Sequence, residues 1–180
     1  MNETLNPKQL ADEGKSAFQR EDYVAAAKAF QAAAQGYGSS GDELNAAEMR
    51  NNSSVALLKS GDAQASFQAV EGTAAIFAAA GDIRRQGLAL GNLGAALEAI
   101  DRKQEAAEAY EQSADLLKQA GEEQMRAHVL QSLSKLQLRS GRQIEALATM
   151  EAGIESFEHP SFKQRLLKKL LHWPFRLLGR

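Results

Sequence analysis

The sequence predicts an all-α protein, an αα-superhelix of four helix–turn–helix repeats followed by an amphipathic C-terminal helix. Three observations carry this. The chain falls on itself after a step of 40 residues: Gly41-Asp42, Gly81-Asp82 and Gly121-Glu122 coincide, as do Gly61-Asp62, Asp101-Arg102 and Gly141-Arg142. An internal repeat of this length means stacked supersecondary units, each of which needs a neighbour to cover its apolar face. Inside the unit from Gly81 to Gly121, Leu88, Leu90, Leu93, Leu97 and Ile100 recur near the 3.6-residue helical period, and Ala106, Ala107, Tyr110, Ala114 and Leu117 do so in its second half. The three prolines, Pro7, Pro160 and Pro174, lie outside the repeats or at their start.

In chain order, Pro7 suits the first turn of a helix, where its missing N–H has no partner to lose. That helix is expected to run to Arg20, after a frayed start over residues 1–6. Asp22 opens a second helix ending near Tyr37, and Gly36-Tyr37-Gly38-Ser39-Ser40-Gly41 reads as a turn cluster. Asp42–Lys59 and Asp62–Ala80 form the second pair, Asp82–Ile100 and Arg102–Ala120 the third, Glu122–Ser140 and Arg142–Phe157 the fourth. Asp82 and Asp101 stand where a helix start needs a side-chain oxygen for a free backbone N–H. Gly81 and Gly121 stand just past helix ends, where a left-handed residue is usual. The repeat domain is thus expected over 1–157, with repeats at about 7–41, 42–81, 82–121 and 122–157, and a separate tail over 158–180.

Leu90-x-x-Leu93-Gly94-x-x-Leu97 followed by Ala106-x-x-x-Tyr110 resembles the tetratricopeptide repeat (TPR) pattern. Four columns hold across the copies. Small residues fill Gly14, Ser54, Gly94 and Ser134, then Ala26, Ser66, Ala106 and Ala146. Bulky residues follow at Phe30, Val70, Tyr110 and Met150, then small ones at Ala33, Thr73, Ser113 and Gly153. Small residues let paired helices approach, and the large one fills the remaining gap. The repeat is 40 residues rather than the family's 34, so each helix should be longer by about a turn, and Gly-Asp or Gly-Glu replaces the family's proline. The resemblance spans about residues 7 to 157 and implies a protein-interaction scaffold.

Composition narrows the function classes. The net charge of −2 hides an asymmetry. Residues 158–180 hold six Lys or Arg against Glu158, a charge of +5, while the other 157 residues hold fifteen basic against twenty-two acidic side chains, a charge of −7. An acidic repeat region argues against nucleic acid, whose phosphates need a basic surface. The absence of cysteine removes disulfide and thiol chemistry and fits the cytosol. The start MNETLNPKQL lacks the basic and apolar runs of a leader, and the apolar run Ala74–Ala80 is far short of the roughly 20 residues a spanning helix needs. His128, His159 and His172 are dispersed, without carboxylates at ligand spacing. Gly91-x-x-Gly94 and Gly36-x-Gly38 do not follow a strand, as a nucleotide fingerprint would. No cofactor, metal or catalytic residue is expected, so the chain reads as a non-enzyme.

The resemblance implies that the first helix of each pair lines a concave groove. There Asn52, Asn92 and Ser132 form one row, Asn51, Gly91 and Gln131 a second, Lys15, Val55, Ala95 and Lys135 a third, and Gln19, Lys59, Ala99 and Arg139 a fourth. Asn and Gln offer donors and acceptors to an extended peptide backbone, and Lys or Arg takes carboxylates. The candidate partner-binding residues are Lys15, Asn51, Asn52, Lys59, Asn92, Gln131, Lys135 and Arg139. Some TPR proteins clamp a C-terminal carboxylate with a Lys/Asn/Lys/Arg set. Ala11, Leu88 and Asn92 stand where that set needs Lys, Lys and Arg, so that activity does not carry over. The bland alternative is that these asparagines bond locally and face water.

Past Pro160, Ser161-x-x-Gln164 can form a capping box. Phe162, Leu166, Leu170 and Trp173 share one face, and Lys163, Arg165, Lys168, Lys169 and His172 lie opposite. Pro174 should end or kink the helix, and Phe175 and Arg176 continue the apolar-basic mix beyond it. Three roles fit: a cap on the last pair, an interfacial helix on an anionic membrane, or a helix in a partner's groove. Near an anionic leaflet each basic residue is worth roughly 1 kcal/mol. The function expected is that of a non-catalytic adaptor holding a peptide or partner protein in its groove. The alternative is a peripheral membrane assembly factor anchored by Lys163, Arg165, Lys168, Lys169, Trp173, Phe175 and Arg176.

Overall fold

The computed structural model describes residues 6–155, in which nine helices and no strand occur. The first pair is α1 (Pro7–Gln19) with α2 (Tyr23–Ser39), and the second is α3 (Glu43–Lys59) with α4 (Ala63–Val70) and α5 (Thr73–Ala79). The third is α6 (Ile83–Ala99) with α7 (Lys103–Gln119), and the fourth is α8 (Glu123–Arg139) with α9 (Gln143–Glu155). Apart from α4 and α5, each helix packs on the next in sequence, while α3 also meets α6 and α6 meets α8. First helices therefore adjoin from the second pair to the fourth, which gives the superhelix an inner ridge.

Aspartates start four of these helices. Oδ1 of Asp22, Asp42, Asp62 and Asp82 accepts the N–H of Ala25, Asn45, Ala65 and Arg85 at 3.1, 3.1, 3.0 and 2.8 Å. Asn6 and Gln9 form a reciprocal capping box at the start of α1. Asp101 does not cap: it adopts φ 64° in the turn itself, where the second and fourth repeats carry Gly61 and Gly141, and Arg102 takes the N-cap place without a side-chain cap bond. Glu21 holds the same left-handed conformation, φ 61°. An L-residue there costs roughly 1–2 kcal/mol, so Glu21→Gly and Asp101→Gly should each raise stability by about 0.5–1 kcal/mol after glycine's greater unfolded freedom is deducted. A urea midpoint that fails to rise would contradict this.

Two expected boundaries differ. The helix expected over Asp62–Ala80 breaks at Glu71-Gly72, where Gly72 takes φ 77° and the Thr73 hydroxyl donates to the Val70 carbonyl at 2.7 Å. Conversely, α2 runs through the expected turn cluster to Ser39. Gly36 serves packing rather than turning, since a Cβ there would lie 2.5 Å from Cγ of Pro7.

The packing columns lie in the core. Gly14, Ser54, Gly94 and Ser134 are buried, as are Ala26, Ser66, Ala106 and Ala146. Of the bulky set Phe30, Val70 and Tyr110 are buried and Met150 is half-buried. Small meets large directly: a Cβ on Gly14 would stand 2.6 Å from the Phe30 ring and one on Gly94 2.7 Å from the Tyr110 ring. In the second pair the motif changes, and the buried hydroxyls of Ser54 and Ser66 bond each other at 3.0 Å.

Candidate partner surface

The inner ridge is tied together by polar contacts between successive first helices. Between α3 and α6, Asn92 Nδ2 donates to Asn51 Oδ1 at 3.0 Å and Arg85 pairs with Glu48 at 3.2 Å. Between α6 and α8, Arg139 pairs with Glu98 at 3.0 Å, and Arg84 pairs with Glu122 at the start of α8. Glu98 also accepts the Tyr110 hydroxyl at 3.1 Å.

Two candidate residues thus satisfy each other. Asn92 gives a donor to Asn51, which leaves the Asn51 amide N–H groups and the Asn92 carbonyl outside that bond. That combination matches the alternating donors and acceptors of an extended backbone. Asn52 lies beside them in a cleft walled by Glu48, Phe77, Arg84, Arg85 and Leu88. Arg139 is 69% exposed although paired, and Lys15 pairs with Asp12 at 3.3 Å with both groups open to water. Lys59 is exposed at the end of α3. Gln131 and Lys135 stand apart from the rest, in a groove between α8 and α9. The structure so disperses the candidates over several places rather than one strip. The tail candidates Lys163, Arg165, Lys168, Lys169, Trp173, Phe175 and Arg176 lie outside the described residues.

The charged groups that sequence reasoning missed are Glu48, Arg84, Arg85, Glu98 and Glu122. Their pairs span 37, 38 and 41 residues rather than 40, so rows built on a strict 40-residue step pass them by. Exposed ion pairs contribute only about 0–1 kcal/mol each. They leave the fold's stability to the core, and a partner's carboxylate or ammonium can exchange into them at little cost.

Asp82 anchors the polar cleft. The Arg85 backbone N–H, and then its guanidinium at 2.5 Å, hold the Asp82 carboxyl below the usual aspartate value. A depressed pKa means the folded chain favours the carboxylate. Its contribution is therefore complete above the unfolded pKa and is lost as pH falls through the lower folded value. The stability difference between wild type and Asp82→Asn should accordingly narrow once pH drops below about 4. Equal differences at neutral pH and in strong acid, read from thermal unfolding, would contradict this. Burial, and then the Glu98 carboxylate, push the Tyr110 hydroxyl well above the usual phenol value. Tyr110 is therefore a neutral donor to Glu98.

Among the described residues no group of three His, Asp or Glu is placed to hold a metal ion, and no helix is long and apolar enough to cross a membrane. A model of the family described as soluble NSF attachment protein, SNAP, matches residues 16–171 of the chain. No curated protein matches it.

Proposed function

The chain belongs to the family of soluble NSF attachment proteins, helical adaptors that bind partner proteins, and from that premise we propose that its inner ridge holds an extended segment of a partner. The Asn51–Asn92 amide pair carries this reading. It bridges α3 and α6 at half-buried positions and presents donor and acceptor groups side by side. Asn52 extends the same edge, and the Arg139–Glu98 pair offers an exchangeable charge one repeat further on. Lys15 and Lys59 add exposed ammonium groups on α1 and α3, and Gln131 and Lys135 on α8 complete the proposed contact set. The family's name gives NSF as the first partner to try.

The test replaces Asn52, Asn92, Lys135 and Arg139 together by alanine. All four are half-buried or exposed, so helicity should persist. At roughly 0.5–1.5 kcal/mol per lost hydrogen bond, partner affinity should fall about 30-fold or more. Binding is read by titration against purified NSF and by capture from native lysate. Equal capture by wild type and the quadruple variant would overturn the ridge as the contact surface. Loss of capture without NSF binding would keep the ridge and change the partner.

A further inference from the structure

Among the described residues, the groove between α8 and α9 is an unfilled copy of a seat that the preceding pair already uses. Its volume is about 410 Å³, and its walls include Gln131, Lys135, Leu138, Met150, Gly153 and Ile154. Step back 40 residues and Gln131, Leu138 and Met150 become Gly91, Glu98 and Tyr110. Those three hold α8. A Cβ on Gly91 would lie 3.2 Å from Val129 Cγ2, Glu98 pairs with Arg139, and Tyr110 meets Ser132. The fourth pair thus presents the surface on which a further first helix would pack.

We propose that the occupant is the chain's own C-terminal segment, with Leu166, Leu170, Trp173 and Leu177 laid into this groove. Twenty-five residues follow Glu155, the end of α9, and the family match continues to residue 171, so the seat is followed directly by chain long enough to fill it. The register decides the face. A strict step of 40 from Val129 and Leu136 gives Lys169 and Arg176, which a largely apolar groove does not suit. A step of 41, one extra residue in the connection, gives Leu170 and Leu177, with Leu166 from Met125 and Trp173 from Ser132. The inter-helix pairs Asn51–Asn92 and Glu98–Arg139 are themselves 41 apart. The apolar stripe then enters the groove, and Lys163, Lys168 and Lys169 remain in water. The docked segment also covers Gln131 and Lys135, so where it docks these two leave the partner's contact set and Asn51, Asn52, Asn92 and Arg139 remain. The inference stands independently of what partner the ridge holds.

Trp173 is the chain's sole tryptophan, so its emission reports the segment directly in the full-length protein. In wild type the indole should emit blue and resist acrylamide quenching, at low and high salt alike, because apolar contact is not screened. Leu138→Glu and Leu170→Lys change the two sides of the contact. Leu138 is 45% exposed, so its replacement leaves α8 intact. Either variant should shift the emission red and raise quenching several-fold with unchanged helicity, and the two together should do no more than one. A wild-type Trp173 as open as in concentrated urea would overturn the proposal, as would shielding indifferent to Leu138→Glu. Shielding lost on dilution would overturn it in favour of a second copy. Shielding that appears only with anionic vesicles and fades with salt would overturn it in favour of a membrane surface.

Discussion

Tyr110→Ala is expected to cost about 3–5 kcal/mol of unfolding free energy, the range for emptying a buried aromatic position. Tyr110 is 3% exposed and shares a cluster with Leu97, Leu117, Leu133 and Leu136, so its ring joins the third and fourth pairs at once. Tyr110→Phe keeps the ring and loses the hydroxyl bond to Glu98, and should cost only about 1 kcal/mol. The partner substitution sharpens the test. On an exposed helix Gly94→Ala would gain up to about 1 kcal/mol in propensity. Here the new Cβ would stand 2.7 Å from the Tyr110 ring, so overpacking of about 1–3 kcal/mol should outweigh that gain. With Tyr110 already replaced by alanine the methyl has room, and the same change should become neutral or stabilising. Denaturant midpoints for the four proteins of this cycle measure the coupling. Equal effects of Gly94→Ala in both backgrounds would show that the small and large columns do not meet.

Column chemistry was legible because sterics act locally and repeat. Gly14, Ser54, Gly94 and Ser134 can be aligned by eye, and each is buried. Asp22, Asp42, Asp62 and Asp82 cap as their spacing predicts, because an N-cap bond spans only three residues. Asp101 misled because it occupies the turn place one residue earlier, where backbone conformation rather than side-chain bonding decides. The break at Gly72 was also hidden. A glycine within an alanine-rich helical run is tolerable on its own, so its left-handed φ of 77° was not signalled by composition. The candidate surface was half legible. Translation by 40 picks out residues on one face, but Glu48–Arg85 and Glu98–Arg139 depend on how far neighbouring helices slide past each other. That offset is set by packing between pairs, which the sequence of a single pair does not contain.

Phe77→Ala should rival Tyr110→Ala, at about 3–5 kcal/mol, and should also disturb the candidate surface. Phe77 is 1% exposed and packs with Ala47 of α3 and Ala89 of α6. It belongs to α5, which starts anew after the left-handed Gly72 and contacts both α3 and α6. The break re-aims the chain so that one aromatic ring wedges between successive first helices. The Arg85 guanidinium lies 5.2 Å from the centre of that ring, and the same guanidinium bonds Asp82 and Glu48. The ring is thus the floor on which the polar cleft is built. Phe77→Leu refills most of the volume without an aromatic face, and should recover most of the stability while leaving Arg85 less well placed. Partner binding should therefore fall in Phe77→Leu more than its modest stability loss explains, under conditions where the chain remains fully folded. Gly72→Ala provides the independent check. It forces an L-residue to φ 77° and should lower stability by roughly 1–2 kcal/mol through the backbone alone. If Phe77→Leu binds partner as wild type does, the cleft above the ring plays no part in recognition, and the contact surface lies elsewhere on the ridge.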